Sequence, residues 1–475
     1  MVIASANVYA GRWRAALVLI LAVMMDLIDV TVVNVALPTI RRNLGASGAQ
    51  LEWVVSAYML AFAATLIVAG SFGDLFGRKR VFVAGIVAFG LASLAAGIAQ
   101  SPGELIAARV VQGMAAAAMV PQLLGTFRAM FSGPERGKAF GLYGAILGLA
   151  SALGLVLGGV LVDANLFGWG WRSVFLINVP IALVSLVAAL WAVPETSDPR
   201  AGHPDLVGAV LLAGAIVAIA YPLLEGRSLG WPVWSWLVLA AGLAGLVALG
   251  LVEERRQHAR VAPLLRTRLL RSSAFSAGLG VQFAFSSGLQ GFFLVLAVWL
   301  QTGRGFSPLA AGLTVLAFSV GSFMFAGAAV PLAVRYGRLV LCAGGVLMAL
   351  GVLGVLLGAG DVGHGSDPWP IVPGLVVCGM GLSLLVIPLA NVVLAAVPRD
   401  VASGAGGTLS TAQQLGGALG VALVGTVFFD RLERDSFTNA FTHAGPLVIG
   451  LFLAAALLSL ALPGSAVEED ELADI

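Results

Sequence analysis

Charge is scarce in this chain. Asp, Glu, Lys and Arg together make up 11% of its 475 residues, against roughly 25% in an average soluble protein. So small a polar share leaves too little surface to face water, and lipid becomes the expected solvent for most of the exterior. Length alone suggests about three soluble domains, yet no stretch reads as a polar linker between compact cores. Cysteine is nearly missing too. Cys342 and Cys378 both lie in apolar stretches, which argues against a disulfide framework and against a thiolate metal centre. His203, His258, His364 and His443 fall in predicted loops and form no ligand cluster. No metal and no other cofactor is expected. A net charge of +2 is too small to imply a nucleic acid partner. No nucleophile–base pair and no phosphate loop occurs, so an enzyme is not expected. The segment GDLFGRKR (residues 73–80) has a superficial look of phosphate binding but lacks the P-loop pattern. Lys is rare beside Arg, a bias that fits GC-rich coding as well as any mechanism.

What the chain does have is apolar length, with 59% hydrophobic residues. A spanning helix needs roughly 20 of them. Fourteen stretches qualify, at about 14–38, 50–72, 80–99, 104–128, 138–162, 171–193, 205–224, 233–252, 273–301, 308–330, 338–359, 369–396, 402–429 and 445–463. The seventh and eighth are the weakest and also read as one hairpin that does not fully span. The first follows Arg12 and Arg14 but is too long for a signal core of roughly 7–15 residues. It also carries two aspartates, so it reads as a retained membrane helix. With the N-terminus in the cytoplasm and loops alternating, eighteen Lys and Arg fall on the cytoplasmic side and seven on the other, out of 26 in the chain. That asymmetry supports a multi-pass protein of the bacterial inner (cytoplasmic) membrane with both termini cytoplasmic. The basic loop from Glu253 to Arg271 reads as a solvated linker near anionic headgroups, and the acidic end EEDELADI as a disordered tail.

Transporters often carry internal repeats, and one is visible here. VVQGM (110–114) echoes VVCGM (376–380), and a proline follows each, Pro121 or Pro388. GSFGDLFGRKR (70–80) echoes GAAVPLAVRYGR (327–338) at a similar offset. Helices 1–6 then match helices 9–14, with helices 7 and 8 inserted. The expected organisation is an N-terminal six-helix bundle at residues 1–200, two inserted membrane helices at 201–256, and a C-terminal six-helix bundle with linker and tail at 257–475.

A charge near the bilayer centre costs about 2.5–3.5 kcal/mol on insertion scales, so the few such residues are the main functional candidates. Asp26 and Asp29 in helix 1 lie on one helix face. Two close carboxylates in low dielectric do not both ionise easily, and at least one is expected to load and release a proton at cellular pH. A carboxylate facing a cavity also suits a cationic substrate, and competition between proton and substrate for one acid is the simplest coupling of an antiporter. The plainer reading is that one aspartate only caps or pairs structurally. Arg109 in helix 4 needs a partner or a wet cavity, as a coupling residue or as half of a fixed ion pair. Gln112 lies one turn on and extends the same polar face. The candidates for the substrate cavity are Asn34, Tyr58, Gln112, Gln290, Phe293, Asn391 and Gln413. Each polar one taken alone is more often a helix–helix hydrogen bond. The second half shows no buried acid. Phe283, Phe285, Phe292 and Trp299 join Phe293 on helix 9 and suit either an aromatic substrate or lipid packing. Small residues crowd helix 5 (141–159) and helix 13 (404–425), which suits close or sliding contact between helices.

These segments resemble the major facilitator superfamily, in its fourteen-helix branch of drug:proton antiporters. DVTVVNVALP (29–38), GSFGDLFGRKR (70–80), RVVQG (109–113), WRSVFLINVP (171–180) and SGAGGTLSTAQQLGGALG (403–420) carry the likeness in order along nearly the whole chain. The resemblance implies an all-α integral membrane fold, the major facilitator fold, of two six-helix bundles plus two inserted helices. It implies roles for Asp29 and Arg109 in proton coupling. It also implies a gate for the conformational switch built from Gly73, Asp74, Gly77 and Arg78. Two departures stand out. The branch's helix 5 motif usually reads Gly-Pro before a Gly-Gly pair, where this chain has Gly154-Leu155 before Gly158-Gly159, which weakens the inference of proton antiport. Asp26 is an additional acid.

The expected function is a proton-coupled exporter of amphipathic organic compounds, such as drugs or secondary metabolites, by alternating access. Its partners are the small-molecule substrate, protons and the bilayer, and the chain is expected to act as a monomer. The alternatives are an importer or facilitator of a small metabolite, or a non-transporting membrane sensor.

Overall fold

The computed structural model describes residues 9, 11–197, 205–226, 229–257, 272–363, 365, 367–395 and 402–463. No strand occurs among them. In lipid every backbone amide must be satisfied within its own segment, and helices do this. In chain order they are α1 (Arg12–Leu44), α2 (Gly48–Phe76), α3 (Arg78–Ile98), α4 (Pro102–Met130), α5 (Gly133–Ala164), α6 (Gly170–Ala192), α7 (Leu206–Glu225), α8 (Val233–Gln257), α9 (Ser273–Gly303), α10 (Pro308–Tyr336), α11 (Arg338–Gly358), α12 (Val372–Ala395), α13 (Ala402–Leu432) and α14 (Phe437–Ser459). Thirteen of these contain, among the described residues, a stretch long and apolar enough to cross a membrane. The remaining one, α5, is a helix of 32 residues whose side chains are described only in part.

Helix ends lie where caps place them rather than where apolar residues stop. The hydroxyl of Ser47 accepts from the Gln50 amide and the Gln50 side chain accepts in return, so α2 opens on a capping box. Ser101, Ser307 and Ser436 start α4, α10 and α14 in the same single-bond way. The run expected to end near residue 38 continues past Pro38 to Leu44. Arg41 and Arg42 fill its last turn, where cations suit the carbonyl end of a helix.

Packing follows the repeat. Helix α2 lies on α4, α3 on α4 and α6, and α1 on α5 and α6. The later helices copy this, with α10 on α12, α11 on α12 and α14, and α9 on α13 and α14. The two echoed VVxGM segments perform the same task. A Cβ at Gly113 of α4 would run into the carbonyl oxygen of Tyr58 on α2, and one at Gly379 of α12 into that of Phe318 on α10. Only glycine lets the backbones meet there. The second echo repeats as well, because Gly77 and Gly337 both turn the chain at positive φ, +105° and +56°, just before α3 and α11. Glycine reaches such values without steric cost.

The seventh and eighth spans are full helices of 20 and 25 residues that pack on each other. Helix α7 also lies on α2 and on α13. Trp53 Nε1 donates to Glu225 Oε1 at 2.9 Å, and Thr426 Oγ1 donates to the Leu223 carbonyl at 3.3 Å. The break expected at residue 200, most of the Glu253–Arg271 loop and the acidic tail lie outside the described residues.

Contacts between the earlier and later helices gather toward one membrane face, the one opposite the Arg12, Arg78 and Arg338 ends of α1, α3 and α11. Gln301 Nε2 donates to the Val35 carbonyl at 2.8 Å, and the Leu309 amide donates to Asp163 Oδ2 at 3.0 Å. Ser56 Oγ donates to the Ala418 carbonyl at 3.2 Å, and Arg41 lies 5.9 Å above the Phe429 ring. Nearer the basic face, Gly141 on α5 and Gly406 and Gly407 on α13 front open space. The small residues of α5 and α13 do two jobs. Gly154 and Gly420 sit against α1 and α9 within their own groups, whereas Gly159 and Gly417 sit against α10 and α2 across the seam.

Candidate functional site

Helix α1 brings both acids to mid-membrane, since Asp26 lies fourteen residues into α1, about 21 Å along the axis. The two then part company. Asp29 is sealed, with 0% of its side chain exposed, and Arg109 shows 1%. Arg109 Nη1 donates to Asp29 Oδ2 in a close ion pair. Asn178 Nδ2 on α6 and Gln112 Nε2 on α4 donate to Asp29 Oδ1 at 2.7 and 3.3 Å. Arg109 is satisfied in turn: Nε donates to the Val54 carbonyl at 3.0 Å and Nη1 to Gln112 Oε1 at 2.9 Å. Gln112 Nε2 also donates to Ser93 Oγ on α3 at 2.8 Å. Four helices thus converge on α1. Partners of this kind are what a buried ion pair needs to offset its desolvation.

Asp26, one turn nearer the basic face, stays half-buried. The hydroxyl of Tyr58 on α2 donates to Asp26 Oδ1. The Tyr58 ring lies under the Arg109 guanidinium, 4.3 Å from ring centroid to Cζ, and Phe175 of α6 lies on Arg109 at 5.9 Å. If both acids and Arg109 are charged, the cluster carries a net single negative charge, and Asp26 is its less buried member. Such a balance leaves room for one cation or one proton.

Arg109, Gln112 and Asp29 therefore meet, a contact that sequence left open. Tyr58 and Gln112, expected on the cavity wall, are fully buried and bonded inside this network. Asn34 is buried, donates to its own helix at the Val30 carbonyl, and borders a small apolar cavity with Phe293 and Gln301. Gln290 is half-buried, with Gly417 of α13 between it and Met59 of α2, and Gln413 is exposed one turn away on α13. The side chains of Asn391 and Leu155 lie outside the described residues. Asn178 and Ser93 were not foreseen. Asn178 sits inside the quoted WRSVFLINVP segment, the one signal that pointed to it.

A second cluster lies at the α2–α3 turn. Asp74 Oδ1 accepts from Arg78 Nε at 2.9 Å and Nη2 at 2.7 Å, and Arg78 Nη1 reaches the Gly125 carbonyl of α4 at 3.2 Å. The Arg78 amide donates to the Thr196 carbonyl at 2.8 Å, and Glu195 accepts from the Lys79 amide at 3.1 Å. A Cβ at Gly77 would meet the Glu195 carboxylate, and one at Gly73 the Gln122 side chain. Gly73, Asp74, Gly77 and Arg78 thus form one knot that ties α2, α3, α4 and the segment after α6.

The sequence model of the Major Facilitator Superfamily matches residues 19–421. A probable actinorhodin transporter of Streptomyces coelicolor is 44% identical over 431 residues, 90% of this chain and 74% of that protein. The tetracenomycin C resistance and export protein of Streptomyces glaucescens is 33% identical, over 96% of this chain and 83% of its own. A peptide transporter solved in complex with sulfate shares the fold at a TM-score of 0.68 and 16% identity, with 94% of each chain covered.

Proposed function

The chain belongs to the major facilitator superfamily, and we propose that it works as a proton-coupled exporter of amphipathic organic compounds, among them antibiotics or other secondary metabolites. It is a multi-pass membrane transporter, not an enzyme. The direction of transport and the coupling are our reading. The observation that carries it is the split between the two acids. Asp29 is locked to Arg109, Gln112 and Asn178, while Asp26 keeps one face open beside the same charges.

In this reading Asp26 is the exchange site, and Asp29 with Arg109 is the fixed field around it. A cationic substrate and a proton compete for the single surplus negative charge. The bundles of residues 1–200 and 257–475 rock about the seam, and residues 201–256 form the inserted pair. The basic face is the cytoplasmic one, with both termini on that side of the inner membrane, and a single chain suffices. Contacts gathered at the opposite face then describe a carrier open to the cytoplasm, ready to load substrate onto Asp26. A proton taken from outside displaces the substrate, and is released inside on return.

Uptake into inverted membrane vesicles tests this, with ethidium as a fluorescent amphipathic cation. Accumulation that needs the chain and collapses with a protonophore is the expected result. Equilibration indifferent to the protonophore would favour a facilitator, the reading that Leu155 in place of the motif proline keeps open.

Asp74 and Arg78 are proposed as the gate, with Gly73 and Gly77 holding the turn tight. Asp74→Ala frees Arg78 from α2 and loosens the knot that must reform in each cycle. Turnover is expected to fall about tenfold, with KM moving less than twofold, on the scale of one charge-assisted hydrogen bond. Initial rates across a concentration series check this, and an unchanged maximal rate removes Asp74 from the gate.

A further inference from the structure

We propose that Tyr58 is the positioning residue that ties the charge state of Asp26 to the buried Asp29–Arg109 pair, rather than a wall of the substrate cavity. The inference rests on Asp26 being the exchange site. Tyr58 has no exposed surface, so a substrate that reaches Asp26 does not touch it. Its two ends do different work. The hydroxyl donates to Asp26, and the ring face covers the Arg109 guanidinium at 4.3 Å. Val54, one turn earlier on α2, offers its carbonyl to Arg109 Nε at 3.0 Å. Helix α2 therefore grips Arg109 with a ring and a carbonyl, four residues apart on one face. The backbone of Tyr58 is held as well, by the close approach of Gly113. A shift of its side chain is transmitted to Arg109 rather than absorbed.

The linkage has a plain physical basis. A hydroxyl bond to a charged carboxylate is roughly twice as strong as one between neutral groups. When Asp26 is ionised, Tyr58 is pinned to it and its ring stays over Arg109. When Asp26 takes a proton, that bond weakens, and the acid O–H competes for the Tyr58 oxygen. The ring is then free to move off Arg109, and the contact between cation and ring face loosens. The other titratable groups near Asp26 are Asp29 on α1, Arg109 on α4 and Tyr143 on α5. Tyr58 alone among them bonds Asp26 and also covers Arg109. In the second half the equivalent position is Phe318, identified by the Gly113 and Gly379 contacts. A phenylalanine there has a ring and no hydroxyl, so this repeat position in the second half lacks the bond that Tyr58 makes to Asp26.

The test uses the full-length protein in liposomes with ethidium as probe. Two quantities are read: accumulation driven by a pH gradient, and ethidium exchange with no gradient. Tyr58→Phe keeps a ring at this position and deletes only the hydroxyl, so the charge state of Asp26 no longer decides whether the ring is pinned over Arg109. We expect gradient-driven accumulation to fall about tenfold, exchange to fall less than threefold, and KM to move less than twofold. Tyr58→Leu removes the ring as well and is expected to lower both quantities. Tyr58→Phe behaving as wild type in both assays overturns the proposal, because the hydroxyl then carries nothing. An equal fall in both overturns it too, since that marks a merely structural role. A wild-type protein whose accumulation ignores the pH gradient is a separate failure, that of proton coupling itself, and is read from the control before any variant is compared.

Discussion

Asp26→Asn is expected to lower gradient-driven ethidium accumulation about 100-fold while the protein stays folded in the membrane. The estimate is the loss of a charged hydrogen-bonding contact of roughly 1.5–3 kcal/mol, at about 1.4 kcal/mol per factor of ten. Asparagine matches aspartate in size and still accepts the Tyr58 hydroxyl, so the packing around α1 and α2 has no reason to change. What disappears is the surplus negative charge. Without it the cluster of Asp29 and Arg109 is neutral, and neither a cation nor a proton has a seat. KM for the cation is expected to rise, and the dependence of exchange on pH to flatten, since the group proposed to take proton and substrate in turn is gone. Rates over a pH series, beside size-exclusion profiles that report folding, make the check. A variant that accumulates ethidium as well as wild type, with its pH dependence intact, would move the exchange site away from Asp26.

This ordering of the two acids differs from the one that sequence suggests. The motif DVTVVNVALP singles out Asp29, and its place in a familiar pattern made it the leading proton carrier, with Asp26 an extra. Sequence spacing puts both on one face of α1, and they are there. Spacing says nothing, however, about which of them the neighbouring helices cover. That is decided by Asn178, 149 residues along the chain, and by Gln112 and Arg109 on α4. Such contacts leave no local signature. The coarse architecture was legible for the opposite reason. A membrane helix announces itself by twenty apolar residues in a row, and the repeat by glycines that the packing of α2 on α4 and of α10 on α12 cannot do without. Ends were read less well, because the apolar run stops before the helix does. Arg41 and Arg42 still belong to α1, and Ser101 opens α4 before its first apolar residue. Polar residues inside the membrane were legible as candidates but not as roles. Tyr58, Gln112 and Gln413 look alike in sequence; two of them are sealed in a network and the third faces open space.

Asp29→Asn should reveal the difference between a carrier of protons and a keeper of charge. From sequence alone the variant is expected to lose proton-coupled transport and remain folded. Burial adds a second consequence. Arg109 is 1% exposed and cannot neutralise itself as a buried carboxylic acid can. Removing its partner leaves the buried cation with no bonded carboxylate, since Asp26 is held by Tyr58 instead, at a cost of about 3–5 kcal/mol. The single variant is therefore expected to lose most of its thermal stability in detergent as well as its transport. Arg109→Gln in the same chain removes the orphaned charge and should return much of that stability, because a buried pair replaced at both ends is often close to neutral in energy. Transport is not expected to return, since the field that sets the behaviour of Asp26 has gone. Melting curves of the wild type, both single variants and the double variant form a cycle whose interaction energy isolates the pair. A cycle with no coupling, or a single Asp29→Asn protein as stable as wild type, would show that Arg109 finds its compensation elsewhere. It would then return Asp29 to the candidates for proton exchange.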